Sequence, residues 1–416
     1  MTKKSDAPAI RFKGFSDAWE QRKLSELTSM HARIGWQNLR TSEFLDSGDY
    51  MLITGTDFND GAIDFSTCHY VERERYEQDR NIQIHNGSIL ITKDGTLGKV
   101  AYVQGLSMPA TLNAGVFNVQ IKDANNVDEK YLFQYLKAPF LMDYVDKKAT
   151  GGTIKHLNQS ILVDFPVISP QRSEQILIGA FFQQLDNLIT LHQRKFEKLT
   201  NVKKSMLEKM FPQNGSSYPE IRFKGFTDPW EQRKLGEIAD IVGGGTPSTG
   251  NPSYWNGEID WYAPAEIADQ IYANSSQKKI TDLGYENSSA KMLPPGTVLF
   301  TSRAGIGKTA ILTRKGCTNQ GFQSIVPHRG ELDTYFIFSR TEELKRYGEL
   351  VGAGSTFVEV SGKQMAVMEL MMPPTMREQQ TIGGFFQRLD NLITLHQREL
   401  EKLQNIKKSM LEKMFV

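Results

Sequence analysis

Two long stretches of the chain carry apolar residues at three- and four-residue steps. In the first they are Ile178, Phe181, Leu185, Leu188, Leu199, Val202 and Met206; in the second Ile382, Phe385, Leu389, Leu392, Leu403, Ile406 and Met410. That spacing is the seam of a coiled coil. Each stretch opens where a helix can open, because Ser169-Pro170 and Pro373-Pro374 supply a proline whose missing N–H costs nothing there. Glu174 and Glu378 follow in the first turn, facing the positive end of the helix dipole. The first stretch closes at Phe211-Pro212, and QNGSSYPE after it is linker chemistry. The pattern predicts helices over 170–211 and 375–416, rods of roughly 60 Å at about 1.5 Å per residue. Two apolar stripes in one chain need cover, and the simplest cover for each is the other. His192 and His396 fall on the seams. They read as polar residues that set register, as a buried asparagine does. No carboxylate or cysteine pattern beside them points to a metal.

The periodicity changes outside these rods. Residues 1–169 and 221–374, with 212–220 as linker, mix short strand-like runs (SILIT, TVLFT, TAIL) with turn residues and helical stretches such as KYLFQYLKAPFLMDYV. Each region is long enough for its own core. Each reads as a mixed α/β or α+β domain with many loops.

The two halves are copies. LDNLITLHQR stands at 185–194 and again at 389–398, inside a longer repeat from Ile178 to Phe211 and Ile382 to Phe415 at an offset of 204. IRFKGFSDAWEQRKLSEL at Ile10 returns as IRFKGFTDPWEQRKLGEI at Ile221, at an offset of 211. GSILITKDGTLGK (Gly87–Lys99) is matched more faintly by GTVLFTSRAGIGK (Gly296–Lys308), at an offset of 209. The ends of each unit are nearly identical and the interiors differ. This is a two-unit duplication rather than a solenoid array.

Composition adds exclusions. The 416 residues exceed one ordinary core. No apolar run approaches the roughly 20 residues needed to cross a bilayer. The opening MTKKSDAPAI has no apolar core and is not a secretory signal. A cytoplasmic chain with two reduced, structural thiols, Cys68 and Cys317, is expected. Residues 1–169 and 212–374 each net −2, whereas 170–211 and 375–416 net +3 and +2. Mildly acidic globular regions argue against a broad basic patch and leave any cationic contacts to local loops.

Three stretches invite a catalytic reading and fail it. SRAGIGKT (Ser302–Thr309) lacks the first glycine of a phosphate loop, and strand-like TAIL follows where a helix must open. NPSYW (Asn251–Trp255) lacks the second proline of the adenine-methyltransferase motif and follows no cofactor-binding strand and glycine loop. DFNDGAID (Asp57–Asp64) has Gly61 where a calcium ligand belongs and no closing glutamate, so it reads as a solvated turn. No catalytic residue and no metal site is assigned.

The order of variable domain, long helix, variable domain, long helix resembles the specificity subunits of type I restriction–modification systems. Local matches carry the resemblance across nearly the whole chain. They are KLSEL and KLGEI, GGGTPS at 243–248, the GxGK turns, ATGGTIKHL and GAGSTFVEV before the helices, and Glu-Gln at their starts. The resemblance implies two α+β target-recognition domains, each reading half of a bipartite site on double-stranded DNA. It implies an antiparallel coiled coil that fixes the spacer and docks two methyltransferase subunits, with restriction and translocase subunits beyond them. S-adenosylmethionine, ATP and Mg2+ would then sit on the partners. The interface helices would present Phe181, Leu185, Leu188, His192 and Leu199, and Phe385, Leu389, Leu392, His396 and Leu403. Lys93 with Lys99, and Arg303 with Lys308, flank glycine turns that allow close approach to DNA. They are the first candidates for DNA contact. Ser302, Thr150, Thr153, Lys155, Thr246, Ser248, Ser355 and Thr356 are weaker ones. A duplicated scaffold for protein or carbohydrate ligands fits the near-neutral charge as an alternative.

Overall fold

The computed structural model describes residues 8–148, 157–213, 215–267, 270–303, 305–353 and 359–415. The two apolar stretches are single helices, Arg172–Lys209 and Met376–Met414. The chain folds as two compact units that do not follow its two halves. Residues 1–192 and 399–416 make the first, and 193–398 make the second. Each unit therefore holds one globular region, the first part of the helix that follows it, and the last turns of the other long helix.

The first unit is built on two four-stranded sheets. In one, Val100–Tyr102, Ile89–Thr92, Val116–Ile121 and Thr28–His31 run antiparallel. In the other, Tyr50–Ile53 pairs in parallel with Ala110–Leu112, flanked by His69–Val71 and Gln83–Ile84. Ile89 to Thr92 are buried throughout, because both faces of this strand are covered. Ile89 and Ile91 face the cluster that includes the helices, while Leu90 faces a second core. KYLFQYLKAPFLMDYV forms two helices, Glu129–Lys137 and Phe140–Lys148, broken at Ala138-Pro139. DFNDGAID is a tight hairpin in which Asp60 and Gly61 take positive φ of 44° and 88°.

The second unit repeats the plan. A five-stranded sheet runs Ala239–Gly243, Gln323–Pro327, Val298–Phe300, Thr309–Leu312, Tyr272–Ala273. A three-stranded sheet runs Lys278–Ile280, Trp255–Tyr262, Cys317–Thr318, its last pair parallel. TAIL is a buried strand, as the failed phosphate-loop reading required. NPSYW enters a 3-10 turn, Pro252–Tyr254, with Asn251 Oδ1 accepting from Ser253 N at 3.1 Å. Both cysteines are free and buried. Burial pushes the thiols up, to about 12 at Cys68 and about 11 at Cys317, so both stay protonated.

The repeated ends of each unit lock to one another. In the first, Arg11 of IRFKGF makes a bidentate ion pair with Glu174, Nε and Nη2 donating at 2.8 and 2.9 Å. In the second, Arg222 grips Glu378 at 2.7 and 2.8 Å. Both glutamates are buried. Their role exceeds that of first-turn carboxylates near a helix dipole, because each is a buried acceptor of a guanidinium fork.

Inside each unit two helix segments pack antiparallel. In the first, Phe182 stacks on Phe415 at 5.6 Å, and one turn further on Asp186 accepts from Lys407 Nζ at 2.5 Å. In the second, Phe386 stacks on Phe211 at 6.0 Å, and Asp390 pairs with Lys203 at 2.6 Å. The seam differs from the expected one by a residue in places. Ile178, Phe182, Leu185 and Ile189 are buried in the first unit, and Ile382, Phe386 and Leu389 in the second. Leu188 and Leu392, expected on the seam, are 43% and 44% exposed. Phe181 and Phe385 turn aside to meet Phe12 and Phe223 edge-on. Adjacent apolar pairs such as Phe181-Phe182 and Leu188-Ile189 offer two rival stripes, and the core selects one. Leu199, Leu403, His192 and His396 are half-buried.

The last turn of each helix closes a core. Phe415 meets Tyr131, Tyr135, Phe140 and Phe182 in the first unit. Phe211 meets Trp230, Phe336 and Phe386 in the second. Residues 204–211 and 408–415 are the same sequence, KSMLEKMF. A chain ending at Pro212 keeps Phe211 but lacks residue 415. It is expected to dimerise, Phe211 of each copy taking the place of Phe415 in the other. Sedimentation checks this, and Phe211→Ala in that fragment should return it to monomer at a cost of about 3–5 kcal/mol per buried ring. A stable, folded monomer of 1–212 contradicts the pairing.

Candidate nucleic-acid interface

The faint central repeat forms the same hairpin turn in both units. In the first, Thr92 N donates to Lys99 O at 2.9 Å, Gly98 N to Thr92 O at 2.9 Å, and Lys99 N to Thr92 Oγ1 at 3.0 Å. In the second, Thr301 N donates to Lys308 O at 3.0 Å, Gly307 N to Thr301 O at 3.0 Å, and Lys308 N to Thr301 Oγ1 at 2.9 Å. The threonine hydroxyl donates across the turn, to Thr96 O and Gly305 O respectively. Gly98 and Gly307 take φ of 70° and 95°. Each also lies against the helix that follows. A Cβ on Gly98 would overlap the Met142 thioether, and one on Gly307 would sit 2.9 Å from Lys345 Cα. Glycine is required for conformation and for space.

Two further loops pack on this turn in each unit. The bend after the parallel strand, Asn113-Ala114-Gly115 or Asn319-Gln320-Gly321, is tied to it through Lys93 N to Gly115 O and Ser302 N to Gly321 O, both 2.8 Å. The other side of the bend is tied to the neighbouring strand end. There Asn113 N donates to Ile53 O at 2.9 Å, and Asn319 N to Tyr262 O at 3.0 Å. A 3-10 turn completes the set. Its first residue donates to an acidic side chain three residues on, Thr54 N to Asp57 Oδ2 at 2.7 Å and Ala263 N to Glu266 Oε1 at 3.1 Å. Of these three loops, only the glycine turns stand out in the sequence. The other two loops share little beyond similar offsets (206 and 209), the one signal that marks them.

The second unit adds the GGGTP loop. Gly245 N donates to Thr318 O at 2.8 Å, Trp261 Nε1 to Gly245 O at 2.8 Å, and Thr246 Oγ1 to Gln320 Oε1. The first unit holds the matching carbonyl with a side chain, Arg33 Nε donating to Leu112 O at 2.8 Å. Arg33 is buried among neutral acceptors, and desolvation holds its pKa below the usual value.

The description "type I restriction modification DNA specificity domain" matches residues 16–201 and again 227–405. The chain belongs to this family. It is 25% identical over 406 residues to the putative type I restriction enzyme MjaX specificity subunit of Methanocaldococcus jannaschii, covering 94% of the chain and 92% of that relative. Over 190 residues it is 33% identical to the MjaIX specificity subunit of the same organism, where the match covers 45% of the chain and 44% of the relative's length. The crystal structure of the type I restriction–modification system S subunit from M. genitalium shares the fold, with a TM-score of 0.66 over 99% of both chains at 15% identity. In the described residues no helix is long and apolar enough to cross a membrane.

The specificity-subunit fold sorts the expected contact residues. Lys99 and Lys308 are exposed at the mouths of the turns. Arg303 is half-buried, its backbone in an isolated antiparallel β-bridge with Glu359. Lys93 lies with Nζ 5.5 Å from the centre of the Phe117 ring, so its charge is directed inward at an aromatic face. Ser302 is fully buried, its N–H donating to Gly321 and its carbonyl accepting from Val360 at 3.0 Å. It is a core residue of the turn, and the expectation of DNA contact is corrected for its side chain. Thr246 is held by Gln320, and the Ser248 carbonyl accepts from Trp255 Nε1 at 3.1 Å. Thr150, Thr153, Lys155, Ser355 and Thr356 lie outside the described residues.

The two glycines of the second turn separate strain from space. Gly305 has φ of 105°, and a Cβ there would meet only the Lys308 side chain at 3.9 Å, whereas Gly307 abuts Lys345. Gly305→Ala is expected to cost about 1 kcal/mol through φ alone, and Gly307→Ala about 2–3 kcal/mol more through the clash. Urea unfolding of the two variants checks the order. Equal losses would show that the close approach is not what holds the turn.

Proposed function

We propose that the chain is the non-catalytic DNA-reading subunit of a type I complex, each unit recognising one half of a bipartite target. The observation that carries the reading is the duplication of one loop set, glycine turn, Asn-x-Gly bend and 3-10 turn, in two units of a DNA specificity family. Lys99 and Lys308 meet phosphates, which position the protein without selecting sequence. Arg303 pairs with a guanine edge in the major groove. The long helices set the spacer between the half-sites. They also dock two modification subunits, which bring S-adenosylmethionine, while restriction subunits bring ATP and Mg2+. The same exposed pair of leucines, Leu188 with Leu191 and Leu392 with Leu395, recurs on each helix and supports two equivalent docking positions. No observation favours a protein- or carbohydrate-binding scaffold.

Mapping methylated adenines in cells that express this chain with its modification subunits should yield a two-part motif with a fixed spacer. Arg303→Ala should relax one position of one half and cost about 1–3 kcal/mol of affinity. An unchanged motif with unchanged affinity removes Arg303 from the interface. DNA labelled from S-adenosylmethionine by the purified chain alone overturns the non-catalytic assignment.

A further inference from the structure

Gln320 and Ala114 occupy equivalent places, the middle of the Asn-x-Gly bend in the second and first units. Gln320 is exposed at the junction of the glycine turn, the 3-10 turn and the GGGTP loop. Its carboxamide is held at one end by Thr246 Oγ1. Thr246 follows two glycines that pack tightly against their neighbours. A Cβ on Gly244 would overlap the carbonyls of Thr318 and Asn319, and one on Gly245 the backbone at Ser289-Ala290. The bend is equally fixed, since Asn319 Oδ1 accepts from Gly321 N at 2.8 Å and Asn319 N donates to Tyr262 O. An exposed amide on a closely packed, hydrogen-bonded loop, gripped at one end, is a group with a preset hydrogen-bonding direction. In the first unit the same bend is held by Asn113 Oδ1, which accepts from Ala114 N at 2.8 Å, but the side chain it presents is a methyl group.

We propose that position 114/320 is a base-reading position, apolar in the first unit and amide in the second. It rests on the DNA-reading function proposed above. A carboxamide pairs with adenine through N6 and N7, while a methyl group packs on the thymine methyl. The two half-sites therefore differ in what they demand at the base pair facing this bend. Thr246 is a positioning residue that aims Gln320. Its hydroxyl, not its bulk, is what matters, so serine retains the function and valine loses it.

The test uses the full-length chain assembled with its modification subunits. Methylation rates are measured on a panel of duplexes, each with one base pair of the target replaced. For Gln320→Met, which keeps the volume and removes the amide, discrimination should fall roughly 5- to 150-fold at one position of one half-site. Every other position should be unchanged. Thr246→Val should weaken discrimination at that same position, and Thr246→Ser should match the parent. Ala114→Gln should change a single position in the opposite half. A Gln320→Met profile equal to that of the parent overturns the proposal. So does a loss spread evenly over both halves, which is the signature of a phosphate contact or a folding defect. A parent protein with no base-sensitive positions at all would instead defeat the DNA-reading function on which the proposal stands.

Discussion

In each unit the core that holds the long helix includes a phenylalanine from the far end of the other long helix. Phe415 fills the first, against Tyr131, Tyr135 and Phe182, and is 4% exposed. Phe211 fills the second, against Trp230, Phe336 and Phe386, and is 6% exposed. An aromatic ring of this kind buries enough surface to decide the stability of a domain. The constraint accounts for the near repetition of the helix sequence, in which LDNLITLHQR and KSMLEKMF recur unchanged. Each helix must serve one unit with its opening turns and the other with its closing turns, so both ends of both helices face the same pair of demands.

Charge fixes what the rings leave free. An apolar stripe tolerates slippage by a turn, whereas an ion pair inside it does not. Lys407 with Asp186, and Lys203 with Asp390, stand at matching positions of the two antiparallel contacts. The Lys407 side chain is 12% exposed, and this burial lowers its pKa. Asp186 also accepts from Gln134 Nε2 at 2.7 Å, and Asp390 from Tyr335 Oη at 2.9 Å. The seam is thus tied to the globular region of its own unit. Arg11 with Glu174, and Arg222 with Glu378, tie each helix start to the segment that opens the unit. The loops that face outward are held on this frame.

The frame was legible in the sequence because long periodic patterns and duplicated motifs survive without knowledge of contacts. The helices, the two mixed domains and the failure of the phosphate-loop motif all follow from spacing. Register was less legible. Leu188 and Ile189 are equally apolar, and only packing decides that Ile189 goes in and Leu188 stays out. Side-chain direction in the loops was not legible. Ser302 looks like a surface residue beside Arg303, yet its backbone bonds to Gly321 and Val360 draw it into the core. The Asn-x-Gly bends escaped notice because they share two letters, and their meaning lies in the strands they connect rather than in the letters.

The central claim is that one loop set, duplicated, is the surface that meets DNA. Hydrogen–deuterium exchange of the assembled complex, with and without a duplex carrying its target, tests this most directly. Protection is expected at 93–99 with 113–115 in the first unit and at 302–308 with 319–321 in the second, and it should be lost for one set when one half-site is scrambled. Protection on other faces of the units, with these loops unchanged, would contradict the account.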